Sequence, residues 1–239
     1  AGYQLLKNES SYDVENQYVI NTGYSQGGYD ALSLLRYMET EATPAEKEAI
    51  KINKTYAGSV ANDLKIMIED SLNNENFEYC EYILMGLITA YYYHNDVMDG
   101  LFIEDFLTEK GKEYIKPILD KDDASLQALK DPVTKPSEFF VSEFLDKESA
   151  YYKVLKDYAS LENLIDGTWK PQGKLSIYYS YDDTMVSPNC SKKAEEVFEG
   201  LTNVEFEGSA YGDHKDAALY FFINIIDELR VELNLVIEE

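Results

Sequence analysis

The chain has 239 residues, of which 45% are hydrophobic and 28% are charged, the balance of a soluble globular protein with one sizeable core. Forty-five acidic residues against 21 basic ones give a formal net charge of −24, which repels phosphate backbones and anionic lipid headgroups. The charge therefore argues against nucleic acid as a partner and against strongly anionic substrates, whereas a neutral ester or amide meets no such barrier. The sequence contains no run of about 18 apolar residues, so it predicts no transmembrane segment.

Few residues are of the types that hold metals or form disulfides. The cysteines, Cys80 and Cys190, lie far apart without C-x-x-C spacing, so neither a zinc site nor a redox pair is indicated. The histidines, His94 and His214, cannot build a multi-histidine centre by themselves. We therefore expect no metal and no cofactor.

The first predicted unit is a strand, a sharp turn and a helix. Residues 17–22 are β-branched and aromatic, as in a short buried strand, and residues 29–40 carry apolar side chains at helical spacing. Between them lies a G-x-S-x-G motif, Gly23-Tyr24-Ser25-Gln26-Gly27. In this context the motif predicts a nucleophile elbow, in which Gly23 and Gly27 allow positive φ and close approach while Ser25 is exposed at a helix N-terminus.

The rest of the chain alternates strands and helices around a helical insertion. After a short strand at 54–60, residues 63–173 show recurrent helical periodicity and hardly any strand signal. Strands return at 174–180 and 203–207, and each is followed by a predicted helix, at 188–200 and 217–236. The alternation predicts an α/β fold, a mostly parallel sheet with flanking helices. The expected domains are 1–62, 63–173 and 174–239.

A serine hydroxyl becomes a good nucleophile only when a base takes its proton, and that base is usually a histidine held by a carboxylate. His214 is predicted in a loop after the last strand, at the sheet edge where active sites of open α/β sheets form. His94 is predicted at the end of an insertion helix, so we favour His214 as the base. Asp182 and Asp183 follow the preceding strand, and either could orient the histidine.

These three sites resemble, in order and context, the C-terminal half of an α/β-hydrolase, most closely the secreted bacterial and fungal lipases and esterases. The resemblance is carried by the elbow, the run Asp-Asp-Thr-Met-Val-Ser-Pro at 182–188 and the sequence Gly212-Asp213-His214. A family motif similar to Asp-x-x-Val-Pro matches from Asp183, with Ser187 inserted before the proline, which favours Asp183 over Asp182. The resemblance also implies that 63–173 is a helical lid, that the Gln26 N–H binds the oxyanion, and that the protein is extracellular or in the cell envelope.

The leading expectation is a serine hydrolase that cleaves a small neutral ester or a lipid-like ester through an acyl-enzyme. A peptidase of the same fold is the alternative within this class. A non-catalytic, hydrolase-like module that pairs with another chain is the alternative outside it.

The chain differs from the family before the elbow, where an α/β-hydrolase has several strands and this chain has about twenty residues. The first strand would then lie bare at a sheet edge, although hydrophobic parallel strands are normally central. We therefore expect either a fragment of a longer protein or a chain that associates through this edge, with an N-terminal companion or with a copy of itself.

Overall fold

The computed structural model of the chain describes residues 18–73, 87, 96, 98, 100–119 and 135–234. Two compact units are present, one formed by residues 1–62 with 164–239 and the other by residues 63–163. The first contains the sheet, and the described residues of the second are mainly helical.

The helices and strands follow the alternation that the sequence predicts. In chain order they are β1 (Ile20–Tyr24), α1 (Gln26–Thr40), α2 (Pro44–Ala49), β2 (Lys54–Gly58), α3 (Leu64–Asn73), a 3₁₀ turn (Ile103–Phe106), α4 (Glu109–Leu119), α5 (Pro136–Phe139), α6 (Ser142–Leu145), α7 (Ala150–Leu161), β3 (Lys174–Ser180), α8 (Pro188–Val197), β4 (Val204–Ser209) and α9 (His214–Glu232).

The four strands form one sheet in the order β1-β2-β3-β4, and every neighbouring pair is parallel. This confirms the predicted α/β fold with a parallel sheet. In that arrangement the carboxyl ends of all four strands lie at one edge, so the turns after β1 and β3 and the segment after β4 meet there. Ser25 and Asp183 lie in these turns, and His214 is the first residue of the helix that follows β4.

Helices cover both faces of the sheet, because successive strand residues point to opposite faces. On one face, Ala57 and Ile177 pack with Leu32 of α1 and Ala194 of α8. On the other face, the residues that precede or follow them in the strands, Tyr56 and Tyr178, pack against Phe221 and Ile225 of α9. The two apolar layers hold α1 and α9 against the sheet. Helix α1 follows the serine, and α9 begins at the histidine.

Residues 164–173, which the sequence assigned to the insertion, lie with the sheet unit. Leu164, Ile165 and Trp169 are buried in the same apolar layer as α1. Glu39 of α1 then accepts hydrogen bonds from the Trp169 indole (2.8 Å) and from the backbone N–H of Gly173 (2.8 Å). The helical unit therefore ends ten residues earlier than the predicted insertion.

The helical unit has its own core. Phe106, Phe139, Phe140 and Phe144 are fully buried there, packed with residues of α7. The helix predicted over 137–145 is instead two short helices, α5 and α6, because Phe140 is extended and bridges to Leu107 in antiparallel fashion. These four aromatic residues therefore stabilise the core of the helical unit.

Within the described ranges, no helix combines the length and the apolar character needed to cross a bilayer. In the same part of the chain, no three His, Cys, Asp or Glu side chains cluster in the manner of a metal site.

Candidate active site

Ser25 occupies a strained turn between β1 and α1. Its backbone angles, φ 58° and ψ −121°, lie where a residue with a β-carbon is rarely found and signal strain of about 1–3 kcal/mol. The turn is held to the neighbouring strand because the Ser25 N–H donates to the Gly58 carbonyl at 2.8 Å. Strain of this kind is typical of functional positions, and here it falls on the predicted nucleophile.

Of the two roles predicted for Gly23 and Gly27, close approach is found at Gly23 and positive φ at neither. The positive φ is at Ser25 itself and not at Gly23 or Gly27, which corrects the prediction. Close approach is needed at Gly23, where a β-carbon would lie 2.0 Å from the Gly27 carbonyl oxygen, and at Gly28, where it would lie 2.7 Å from the Gly58 carbonyl oxygen. A β-carbon on Gly27 would meet nothing within 4 Å. Gly23 and Gly28, rather than Gly27, permit the tight turn.

Asp183 is a buried carboxylate in a turn of its own making. Its Oδ1 accepts hydrogen bonds from the backbone N–H groups of Met185 and Val186, each at 2.9 Å. Val186 is itself buried, which anchors the turn. Asp182, the alternative acid, is exposed.

His214 lies against Asp183, with its Nδ1 at 2.8 Å from Oδ2 and 3.0 Å from Oδ1. Only 10% of the histidine side chain and 1% of the aspartate side chain are exposed. Because the acceptor is a carboxylate, Nδ1 carries the proton, and Nε2 is left as the basic nitrogen.

His214 is the first residue of α9 and not part of the preceding loop, which corrects the prediction of a helix from 217. The reason is the cap: the Asp213 carboxylate accepts from the N–H groups of Asp216 (3.0 Å) and Lys215 (2.9 Å), so the helix begins at His214. The same two hydrogen bonds lower the pKa of Asp213. A second contact fixes the approach to the helix, since the Ser180 hydroxyl donates to the Gly212 carbonyl at 2.7 Å.

The histidine also lies beside the elbow. The Tyr24 ring is 5.0 Å from the His214 ring between centroids, and the Tyr24 hydroxyl donates to the His214 carbonyl at 2.8 Å. Because Tyr24 directly precedes Ser25, the three segments that carry Ser25, Asp183 and His214 come together at one edge of the sheet.

Two further residues singled out from the sequence are Gln26 and His94. Gln26 is exposed and is the first residue of α1, where backbone N–H groups have no partner within the helix. His94 lies outside the described residues. Sequence reasoning did not find the contacts of Tyr24 and Ser59. The Ser59 hydroxyl donates to the Tyr24 hydroxyl at 2.9 Å. The position of Tyr24 inside the motif was the only signal.

Comparison of the fold with solved structures finds esterases and lipases. The rice cell wall degrading esterase LipA from Xanthomonas oryzae matches with a TM-score of 0.68 at 18% identity, over 90% of this chain and 57% of the esterase. A putative hydrolase from Legionella pneumophila matches with a TM-score of 0.65 at 16% identity, over 92% of this chain and 57% of the hydrolase. Candida antarctica lipase A in its closed state matches with a TM-score of 0.63 at 19% identity, over 93% of this chain and 50% of the lipase.

The fold is therefore α/β-hydrolase-like, as the motifs predicted, and the chain spans between 50% and 57% of the length of these proteins. No protein-family model matches the chain, and no curated protein sequence does.

Proposed function

We propose that the chain carries the catalytic residues of a serine hydrolase that cleaves carboxylic esters, with Ser25 as nucleophile, His214 as base and Asp183 as the orienting acid. The observation that carries the proposal is the buried contact between His214 and Asp183 (2.8 Å) at the same sheet edge as the strained Ser25 turn. A catalytic triad requires a buried imidazole that is held at one nitrogen and basic at the other, whereas an ordinary surface ion pair does not.

In the acylation step, the Ser25 oxygen attacks the ester carbonyl carbon while His214 Nε2 takes the hydroxyl proton. The carbonyl oxygen becomes an oxyanion, to which the N–H of Gln26 at the start of α1 donates, aided by the positive end of the helix dipole. The bond to the alcohol then breaks, and the imidazolium returns its proton to the departing alcohol. The products of this half are the free alcohol and an acyl-Ser25 ester.

In the second half, a water molecule attacks the acyl carbon and gives its proton to His214. The tetrahedral intermediate collapses, Ser25 recovers its proton, and the carboxylic acid leaves. Asp183 holds Nδ1 throughout and stabilises the imidazolium that forms twice per turnover.

The kinship in fold supports an ester as the substrate class, because the matched proteins include an esterase and a lipase. The net charge of −24 favours a neutral substrate over an anionic one. The chain spans 57% of the esterase's length, and all three residues proposed for the chemistry lie within this part.

A fluorophosphonate probe tests the proposal on the 239-residue chain, because labelling requires an activated serine and not merely an exposed one. We expect labelling at Ser25 in the wild type and none in Ser25→Ala or His214→Ala. His94→Ala is the matched control, since it removes the other histidine of the chain, and it should label like the wild type.

Absence of labelling in the wild type would mean that the chain is a non-catalytic module. Labelling that survives His214→Ala but not His94→Ala would reverse the assignment of the base. Hydrolysis of an amide faster than an ester with the same side chains would assign a peptidase instead of an esterase.

A further inference from the structure

We infer that Tyr24 is a positioning residue for the base: it holds His214 in place, and Ser59 holds Tyr24. The inference rests on the proposed function, because it concerns the histidine that takes the Ser25 proton. It adds two residues outside the Ser-Asp-His set and a physical link between the elbow and the base.

Tyr24 contacts His214 in two independent ways. Its hydroxyl donates to the His214 backbone carbonyl at 2.8 Å, and its ring lies 5.0 Å from the imidazole at an interplanar angle of 47°. The first contact fixes the backbone at the start of α9, and the second limits the movement of the ring. The Asp183 contact alone restrains only Nδ1, so the imidazole could still swing about that nitrogen.

Ser59 fixes the tyrosine hydroxyl from the opposite side. Its side chain donates to Tyr24 Oη at 2.9 Å, and the residue is only 2% exposed. The Ser59 N–H donates to the Tyr178 carbonyl at 2.8 Å, which ties it to β3. Its φ of 43° is left-handed, an uncommon conformation for a residue other than glycine.

The two hydrogen bonds of the Tyr24 hydroxyl therefore have a defined donor and acceptor order. It accepts a hydrogen from Ser59 and gives its own hydrogen to His214, so the chain of hydrogen bonds runs from the residue after β2 through β1 to α9. Because Tyr24 is the last residue of β1 and directly precedes Ser25, the base is held by the same strand that leads into Ser25. A nucleophile and a base fixed to the same frame keep their separation, on which proton transfer depends.

Removing the Tyr24 hydroxyl should weaken catalysis without weakening substrate binding. We expect Tyr24→Phe to lower kcat for a neutral ester by about 10- to 100-fold, the effect of a displacement of about 1 Å, with KM nearly unchanged. The rate of fluorophosphonate labelling should fall by a similar factor. Ser59→Ala keeps the Tyr24 donation to His214, and its loss should be smaller.

The imidazole itself gives a readout that does not depend on turnover. The chain has two histidines, so the proton and nitrogen resonances of the His214 ring can be assigned by comparison with His94→Ala. In Tyr24→Phe, the His214 resonances should shift or broaden while those of His94 stay in place. Tyr37→Phe is the matched control, because it also removes a single hydroxyl, one that donates to Glu46 on the surface.

Tyr24→Phe leaves the buried Ser59 hydroxyl without its acceptor, which could destabilise the fold. The double variant Tyr24→Phe/Ser59→Ala removes both partners, a change that is often nearly neutral for stability. It should fold like the wild type and keep the low kcat of Tyr24→Phe.

The outcomes separate this inference from the proposed function. If the wild type labels, and Tyr24→Phe and the double variant keep its kcat and His214 resonances, then Tyr24 is only structural and the inference is wrong. If the wild type neither labels nor hydrolyses esters, the proposed function fails, and unchanged His214 resonances in Tyr24→Phe would remove the positioning role as well.

Discussion

The adjacent carboxylates Asp182 and Asp183 lie in very different surroundings. Asp183 is 5% exposed and contacts His214, whereas Asp182 is exposed. We expect Asp183→Asn to lower kcat by about 10⁴, as in the best-studied serine protease triad, because an amide at this position stabilises the wrong imidazole tautomer. Ester hydrolysis by the purified variant measures the effect.

Asp182→Asn is the matched control, since it makes the same chemical change one residue away. It should keep kcat within a few-fold of the wild type. If Asp182→Asn instead carried the large loss, Asp182 would be the orienting acid and the assignment of the pair would be reversed.

The elbow glycines can be ranked by the space around them. We expect Gly23→Ala to lower the free energy of unfolding by more than about 3 kcal/mol, since a β-carbon 2.0 Å from a backbone oxygen exceeds ordinary overpacking. Gly27→Ala should leave it unchanged or raise it by up to about 1 kcal/mol, because alanine is the better helix former and the site is open. Urea titration followed by circular dichroism measures both.

Equal destabilisation by the two substitutions would show that the turn does not have this geometry. The sequence motif alone cannot rank its glycines, because each is defined by spacing to Ser25. The ranking depends on the path of α1 over the turn, which is a property of the folded chain.

At the scale of helices and strands, the sequence predicted most of the sheet and little of the linking contacts. β3 was predicted with its observed bounds, because its β-branched and aromatic run is bounded by polar residues on both sides. The start of α9 was predicted three residues late, since the cap that starts it depends on the Asp213 side chain folding back onto Lys215 and Asp216. The contact of Tyr24 with His214 joins residues 190 positions apart, which no local pattern reveals.

A charged cluster fastens α9 to the amino ends of the strands, opposite the candidate active site. Glu228 of α9 accepts a hydrogen bond from Lys54, which also pairs with Glu205 at 3.0 Å. Glu228 accepts as well from the hydroxyls of Tyr56 and Tyr178, and each of these two distances is 3.1 Å. Burial and the Glu228 carboxylate raise the pKa of both tyrosines above 10.0. Burial alone would lower the pKa of Lys54, but the hydrogen bonds to Glu228 and Glu205 outweigh it and raise the pKa.

These shifts predict alkaline unfolding. The unfolded chain loses its tyrosine protons near pH 10 while the folded chain keeps them, so the stabilisation is complete below pH 10 and is lost as the pH rises through the folded-state values. The raised pKa of Lys54 also makes the free energy of unfolding fall as the pH rises above about 10.5. We expect the free energy of unfolding to fall above pH 10 by about 1.4 kcal/mol per pH unit for each group that keeps its proton.

Thermal unfolding between pH 8 and pH 12 measures this slope. The double variant Tyr56→Phe/Tyr178→Phe should have a shallower slope than the wild type. Tyr220→Phe, at a surface tyrosine that is 47% exposed, is the control and should keep the wild-type slope. An equal slope in all three would show that the buried tyrosines do not govern the alkaline transition.

At the scale of the whole molecule, two surfaces of the sheet unit lack a covering among the described residues. β1 pairs with β2 on one side only. The outer face of α9 carries Leu219, Phe222, Ile223 and Ile226, which are between 43% and 63% exposed. Their spacing of three and four residues forms one apolar stripe on the helix, opposite the stripe that packs on the sheet.

An exposed parallel strand edge and an apolar stripe favour association. In a solution of the purified chain, the available partner is a second copy, and the net charge of −24 opposes its approach. High salt shortens the range of that repulsion to about 3 Å at 1 M, compared with about 10 Å at 0.1 M. We therefore expect the chain to self-associate, with a mass above 27.4 kDa by light scattering and a larger fraction associated at high salt.

The double variant Phe222→Lys/Ile226→Lys tests the stripe itself. It makes the chain less negative, so a change in overall repulsion would increase association, whereas loss of apolar contact would decrease it. We expect it to be more monomeric than the wild type. Leu161→Lys, at a residue of the helical unit that is 56% exposed, is the control for placing lysine on an apolar surface position. A wild-type chain that stays a monomer at high salt, with a sharp thermal transition, would show that the strand edge and the stripe are covered within the chain.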